Sequence, residues 1–361
     1  MGYRPAMKNI QAKLINWYQI NKRSLPWRST KNPYHIWLSE IILQQTRVAQ
    51  GLPYYEKFVQ HFPTVQHLAN AHEDEVLKLW QGLGYYSRAR NLHASAKYVT
   101  YDLNGAFPDN YDDLLQLKGV GDYTASAISS FCYNEQKAVL DGNVFRFLAR
   151  FFGVETPINS TAGKKEFSLL SKKLLNLKDP ATHNQAIMEF GANQCKPKNP
   201  DCTICVFNDK CVALQLKKVD ILPKKDKKIK IKNRYFNYII PLIQGDKTVL
   251  QKRTQNGIWK NLYEFPLIES SACIDGKEAS TGIKALNLFP QKNTLSKYNE
   301  KPIVHKLSHQ HIYTTFWILE TDQAIPNTIL IADIKKYAVS TLLSNFMNEF
   351  KFFRSNANLT L

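Results

Sequence analysis

The 361-residue sequence contains no stretch approaching the ~20 continuous apolar residues that a bilayer-spanning helix needs. Its start, Met1-Gly2-Tyr3-Arg4-Pro5-Ala6, runs into polar helical sequence and lacks the apolar centre of a secretory signal. A soluble intracellular chain without a targeting signal or membrane contact is expected, cytoplasmic and, in a bacterium, associated with the nucleoid. Acidic residues are scarce, 30 against 48 Lys and Arg, and the resulting net charge of +18 favours a polyanionic partner whose binding weakens steeply with salt. Cysteine is sparse outside one cluster: Cys132 and Cys273 stand alone, while Cys195, Cys202, Cys205 and Cys211 fall within seventeen residues. That clustering speaks against a disulfide framework and for a shared metal. No alternating apolar pattern of convincing length occurs before residue 215, so the first domain is predicted to be all-α. Disorder is excluded by a hydrophobic content of 44%, and the length suits two domains, each with a core of its own.

What is present follows in order. Residues 7–22 carry a helical period through Ile10, Leu14, Trp17 and Tyr18, and Leu25-Pro26-Trp27-Arg28 breaks it. Periodicity predicts one helix over Tyr34–Gln50, with Ile36, Glu40, Leu43 and Arg47 on a single stripe. A carboxylate among aliphatic side chains is desolvated, and its raised pKa equips it to donate a proton near neutrality; the plainer reading pairs Glu40 with a surface arginine. A further helix is expected over 62–80. The turn Gln81-Gly82-Leu83-Gly84-Tyr85-Tyr86-Ser87-Arg88-Ala89-Arg90 offers rings to stack on a base and arginines for phosphates.

Helices over 91–103 and from Tyr111 onward lead to Leu117-Lys118-Gly119-Val120-Gly121-Asp122-Tyr123-Thr124-Ala125. Its two glycines can take positive φ and bring backbone N–H groups to an anion at a helix N-terminus, for which a DNA phosphate is the natural candidate. Asp141 follows in a tight Asp-Gly-Asn turn, either as a fixed carboxylate beside the gripped nucleotide's sugar or as a plain helix cap. An Arg-rich helix with Arg146 and Arg150 comes next, then a helix over Thr182–Asn193 that contains Glu189. The cysteine spacing, Cys-x6-Cys-x2-Cys-x5-Cys, leaves zinc and a [4Fe–4S] cluster both open. Residues 214–232 form a Lys-rich linker around Pro223, extended by self-repulsion. Strands are predicted at Tyr235–Ile243, Thr248–Lys252 and His311–Leu319, and a helix at Val339–Phe352, which makes 233–361 an α+β domain after a helical domain at 1–213.

Taken together, the glycine hairpin, the Leu140-Asp141-Gly142-Asn143 turn and the four cysteines resemble the helix-hairpin-helix DNA glycosylases that carry an iron–sulfur cluster. Trp37-Leu38-Ser39-Glu40, Leu43-Gln44-Gln45-Thr46, Leu25-Pro26-Trp27-Arg28 and Gly82-Leu83-Gly84-Tyr85-Tyr86 bring the resemblance to the adenine DNA glycosylases of the MutY type, over nearly the whole chain. It implies an all-α helix-hairpin-helix glycosylase domain with a [4Fe–4S] loop at Cys195–Cys211, and a C-terminal α+β Nudix-like domain. The expected partner of this monomer is double-stranded DNA with adenine opposite 8-oxoguanine or guanine. The adenine is flipped into a pocket and its N-glycosidic bond hydrolysed. Glu40 would protonate the base at N7, Asp141 would stabilise the oxocarbenium-like sugar, and Tyr123 and Asn143 would orient the two carboxylates.

Trp27, Arg28, Leu43, Val48 and Glu189 match positions around the adenine, and Gln45, Thr46 and Tyr85 match those that fill the gap and contact the opposing base. Related strand-cutting enzymes place a Schiff-base lysine two residues after the second hairpin glycine; Tyr123 stands here, so base release without strand cleavage is expected. Lys118 replaces a usual proline and reads as a phosphate contact beside Gly119, Val120 and Gly121. In the C-terminal domain Gly257-Ile258-Trp259, Leu262-Tyr263-Glu264-Phe265-Pro266 and Leu307-Ser308-His309 carry the resemblance, with Leu307 in place of an aromatic and Ser308 and His309 as candidate readers of the lesion. The Glu-rich Mg²⁺ helix of Nudix pyrophosphatases does not occur, so nucleotide hydrolysis is not expected.

Overall fold

The structure, a computed structural model, describes residues 7–226 and 231–356. Positions 227–230 of the basic linker, 1–6 of the first expected domain and 357–361 of the last lie outside them. The chain divides into two compact units, residues 1–70 with 91–227, and residues 71–90 with 228–361.

Helices α1 (Met7–Asn21), α2 (Pro33–Leu43), α3 (Val48–His61), α4 (Val65–Asn70), α5 (Glu73–Trp80), α6 (Ser87–Lys97), α7 (Tyr111–Leu114), α8 (Asp122–Tyr133), α9 (Gly142–Phe152), α10 (Thr161–Leu174), α11 (Pro180–Asn193) and α12 (Val212–Gln215) follow in order. No strand occurs in the first unit among the described residues, as the absence of alternation predicts. Its core forms where α11 packs on α1 and α9: the ring of Trp17 meets Phe190 edge-on at 4.9 Å, and Phe147 meets Phe190 at 5.1 Å. Gly191 makes the close approach possible, since a Cβ there would lie 2.6 Å from the Asn143 carbonyl oxygen. The α11 helix that carries Glu189 therefore reaches the turn that carries Asp141.

The helix expected over Tyr34–Gln50 is two. Asn32 caps α2 by accepting the Tyr34 amide at 3.0 Å, and Pro33 occupies the first turn. The helix ends at Leu43, because Gln44 leaves helical geometry and Gln45 takes φ 56°; Arg47 is the N-cap residue of α3 and is not on the Glu40 stripe. The helix expected over 62–80 is likewise split at 71–72, between α4 and α5.

In the second unit, β1 (Lys232–Ile243) and β8 (Gln310–Thr321) run parallel over their whole lengths. They anchor a sheet that also contains β2 (Lys247–Thr248), β5 (Leu267–Ser270), β6 (Thr294–Lys297), β7 (Ile303–Lys306) and β9 (Ile329–Leu330); β3 (Gln251–Lys252) and β4 (Tyr263–Glu264) pair separately. The strand expected at Thr248–Lys252 is thus two short ones. Helix α13 (Gly276–Leu286) buries Ala279 and Ile283 against Ile239, Trp317 and Leu319. The helix expected over Val339–Phe352 is α14 (Thr341–Glu349) and α15 (Lys351–Asn356), and α14 stacks Phe346 on the Phe316 ring at 3.9 Å.

One boundary departs from the sequence expectation, which keeps 71–90 in the first domain. Asp74 pairs with Lys252 at 2.6 Å and accepts the Tyr263 hydroxyl at 2.9 Å, Tyr86 donates to the Val339 carbonyl, and Arg90 to that of Lys260, so this segment belongs to the second unit. Polar side chains at these positions gave no apolar signal of that packing. Among the described residues no helix is long and apolar enough to cross a membrane.

Candidate active site

A cavity of 630 Å³ opens in the first unit, and its walls come from α2, the residues around it, α8, α9 and α11. It brings together Trp27, Arg28, Glu40, Leu43, Gln45, Thr46, Val48, Tyr123, Asp141, Asn143 and Glu189, side chains from five separate parts of the sequence. Glu40 is only 7% exposed. Burial pushes its carboxyl up to about 7 against the pull of the Tyr123 hydroxyl and Arg28, and Asp141 adds to the rise. At neutral pH it is therefore poised between acid and carboxylate, the condition a general acid needs. The plainer reading, a Glu40 paired with a surface arginine, is not what α2 presents.

Asp141 is the helix cap its turn suggests, and it is also a fixed carboxylate on the cavity wall. As the N-cap of α9 its Oδ1 accepts the amides of Asn143 and Val144 at 2.9 and 2.8 Å, and its Oδ2 accepts the Asn143 side-chain amide at 2.7 Å. Burial raises its pKa, but these three donors oppose the rise and favour the ion. Asn143 is oriented in turn by Arg146, whose Nη2 donates to its Oδ1 at 2.9 Å. Tyr123 interacts with the Glu40 carboxyl and feels the charge of Asp141, its hydroxyl reaching the Met188 sulfur at 3.7 Å, and burial followed by those charges keeps it protonated.

The opposite wall is built around Glu189, 1% exposed. Arg23 donates to it from its backbone amide at 3.0 Å, from Nε at 2.7 Å and from Nη2 at 2.7 Å; Arg28 adds a bond at 2.6 Å and Asn193 another at 2.9 Å. Burial alone would raise this carboxyl, and the two guanidinium groups reverse the effect and hold it at about 2. Arg23 is a residue that reading the sequence missed. Its only signal is the Lys22-Arg23 pair ahead of the Leu25-Pro26 break, which is indistinguishable from a basic helix end.

The glycine turn does not line the cavity, but Gln44 of the cavity wall donates to the Gly119 carbonyl at 3.2 Å. Gly119 takes φ 83°, as anticipated, whereas Gly121 has φ −106° and caps α8 without needing a glycine's freedom. A Cβ at Gly121 would meet nothing within 4 Å, so its contribution is an uncovered helix N-terminus. Val120 is buried and its amide bonds to the Leu117 carbonyl, which makes it a support of the turn; Lys118 is exposed.

Four cysteine side chains, Cys195, Cys202, Cys205 and Cys211, line one small apolar space with Phe147, Phe151, Phe190 and Phe207. Burial pushes the Cys205 thiol up to about 11, and the other three cysteines contribute to the rise. Arg146 donates to the Cys195 carbonyl at 2.7 Å, and Arg150 reaches the Cys195 sulfur at 3.5 Å and the Lys196 carbonyl at 2.7 Å. No three His, Cys, Asp or Glu side chains converge on a single-ion site among the described residues.

In the second unit, a space of 510 Å³ is lined by Gly84, Tyr85, Trp259, Leu307, Ser308 and His309 among others. Tyr85 takes φ 48°, and its hydroxyl meets the Ser308 hydroxyl at 2.5 Å. Ser308 and His309 sit exposed on the tight connection between β7 and β8.

Residues 38–177 match the family of HhH-GPD superfamily base excision DNA repair proteins, and residues 238–349 match the NUDIX domain. An adenine DNA glycosylase of Buchnera aphidicola subsp. Baizongia pistaciae is 38% identical over 315 residues, 85% of either chain. The chain belongs to the adenine DNA glycosylase family. An adenine DNA glycosylase of Arabidopsis thaliana is 32% identical over 78% of this chain and 50% of its own length. Among solved structures, a thermostable thymine-DNA glycosylase aligns over 58% of this chain and 97% of its own, with TM-score 0.54 and 27% identity. A non-covalent endonuclease III–DNA complex, at 19% identity and TM-score 0.51, shares the helical fold over 59% of the chain. The fold is thus a helix-hairpin-helix glycosylase domain with a Nudix-like domain of sheet and helices, and the activity is hydrolytic removal of adenine from DNA in base excision repair.

Proposed function

We propose that this adenine DNA N-glycosylase acts on adenine opposite 8-oxoguanine or guanine in duplex DNA and releases the base without cutting the strand. The observation that carries the reading is the cavity wall on which Glu40, held up to about 7, shares Tyr123 with Asp141, whose three donors favour the ion. A flipped adenine enters this space, since its glycosidic bond is unreachable in the stack. Glu40 donates its proton to the base at N7, and the bond to the sugar weakens as the ring gains positive charge. Asp141 then faces the cationic sugar and stabilises it until water adds, the division of labour between two carboxyl groups that glycosidases use. Strand cleavage through a Schiff base requires an amine, and no lysine lines the cavity among the described residues.

Reading of the opposing base is assigned to the second unit, where the exposed Ser308 and His309 and the ring of Tyr85 form one polar, stackable surface. Gln45, exposed at φ 56° between α2 and α3, and Thr46 are assigned to the gap that the adenine leaves. Lys118 and the Gly119–Gly121 turn take a phosphate. This division of labour corresponds to a catalytic region at 1–70 and 91–213, a linker at 214–232 and a lesion-reading region at 71–90 and 233–361, acting as a monomer in the compartment that holds the genome.

The four cysteines would hold a [4Fe–4S] cluster: all four sulfur donors line one small apolar space. When bound, such a cluster cross-links the 195–211 loop and offers a redox-capable centre. Arg146 and Arg150 of this chain brace that loop from α9.

The test is single-turnover base release from duplexes with adenine opposite 8-oxoguanine, guanine or thymine, with and without alkali afterwards. Release opposite the first two, with strand breaks only after alkali, is expected. Borohydride trapping of a covalent enzyme–DNA adduct would overturn the monofunctional reading.

A further inference from the structure

A second concavity of the first unit, a groove of 860 Å³, runs from Gly121 and Tyr123 to a face of α10 that has no role in the chemistry above. Three lysines line it, Lys137, Lys164 and Lys172, against a single carboxylate, Asp122. Lys164, Ser168 and Lys172 succeed one another at four-residue spacing on α10 and so share one helix face. The face is about 12 Å long, several phosphates of one strand at about 3.4 Å of rise each.

The charges differ in how far they are committed. Lys137 lies 4.1 Å over the Tyr111 ring and 3.5 Å from Glu135, so part of its charge is already answered. Lys164 and Lys172 are exposed and form no ion pair among the described residues. Asp122, the one acid, accepts the Tyr111 hydroxyl at 3.0 Å.

Position adds direction to this charge. Gln44, Tyr123 and Leu140 line both the groove and the 630 Å³ cavity, so the two spaces share a wall. A strand whose nucleotide occupies the cavity has to leave it along one side or the other. We propose that the groove is a phosphate-binding track for the adenine-bearing strand, in which Lys164 and Lys172, assisted by Lys137, hold the backbone beyond the flipped nucleotide. The assignment rests on the proposed entry of adenine into the cavity.

The test compares Lys164→Ala/Lys172→Ala with Lys165→Ala/Lys173→Ala, which removes the same charge from the same helix at positions that do not line the groove. The probe is a duplex with uncleavable 2′-fluoro-2′-deoxyadenosine opposite 8-oxoguanine, titrated at several salt concentrations. The groove variant is expected to lower the slope of log Kd against log salt by about 1.8, at 0.9 per phosphate contact, with the control much less affected. Shortening the duplex on one side of the adenine should abolish the difference from wild type, and shortening the other side should preserve it.

Equal losses in both variants, an unchanged slope, or a loss indifferent to which side is shortened would overturn the track. Failure of the mispair reading shows separately, as equal wild-type affinity for mispaired and fully paired duplex. In that event the same two variants decide the track on the paired duplex.

Discussion

The two walls of the active-site cavity bury the same chemical group to opposite ends. Glu40 on α2 and Glu189 on α11 are 7% and 1% exposed, yet burial carries the first up to about 7 while two arginines hold the second at about 2. The difference lies in hydrogen-bond supply. Glu189 receives five donors that fix its charge, whereas Glu40 has Tyr123 and a more distant Arg28 as the groups that favour its ion. One wall is a rigid charged frame, and the other keeps a proton available.

The sharpest way to break this comparison is Glu40→Gln. Loss of a general acid is expected to slow single-turnover adenine release by about 10²- to 10⁴-fold. The same substitution should stabilise the fold at alkaline pH. Because the folded-state pKa lies above the unfolded value of about 4.5, wild-type stability falls as pH rises from there through about 7 and then levels. A neutral isostere escapes that loss, about 3 kcal/mol at 1.36 kcal/mol per unit. Thermal melts at pH 8 should therefore place Glu40→Gln above wild type, and melts near pH 4.5 should place them together. A variant that is inactive and also less stable at pH 8 would mean that Glu40 is a structural ion.

Glu189→Gln should do the reverse. Its depressed pKa contributes stability that is present above about 4.5 and lost as pH falls towards about 2. Without the carboxylate, Arg28 keeps a charge in a wall where it is only 16% exposed. A loss of about 3 kcal/mol is expected for breaking one side of a buried pair, visible in denaturant melts at pH 7 and shrinking in acid. Equal stability of variant and wild type at pH 7 would show that the arginines find other partners.

The proton-holding wall, with Asp141 on it, also sets a pH profile. Glu40 acts while protonated, so the rate should fall above about pH 7; Asp141 acts while ionised, so the rate should fall in acid, below its raised pKa. The bell should lose its alkaline limb in Glu40→Gln, while its acid limb persists. An alkaline limb that survives the substitution would assign it to another group.

The comparison also marks where the sequence was legible. Glu40 could be found because it interrupts an aliphatic stripe, and Asp141 because Asp-Gly-Asn is a turn whatever else it does. Helicity of the first unit followed from the missing alternation, and the cysteine loop from its spacing. The split of the Tyr34–Gln50 helix was hidden, since the break rests on one non-glycine residue, Gln45, in the left-handed region. Arg23 was hidden because its partner lies 166 residues away. The membership of 71–90 in the second unit was hidden because polar bonds such as Asp74 to Lys252 leave no periodic trace.

The smallest effect tests how finely the proton-holding wall is tuned. Tyr123 pulls the Glu40 carboxyl down, second only to burial among its influences and opposite in sign. Tyr123→Phe removes the hydroxyl, with its 3.7 Å bond to the Met188 sulfur, and keeps the ring, which packs against the core as Met188 and Leu140 do. Without that donor Glu40 should hold its proton to a higher pH, so the alkaline limb of the rate profile should move upward. The rate on the low-pH side should change little, because the acid is already protonated there. The Glu189 wall is untouched, so the acid-dependent loss of stability assigned to it should be the same as in wild type. A downward movement of the alkaline limb would mean that the hydroxyl favours the protonated acid, and the balance between burial and Tyr123 would have to be reversed.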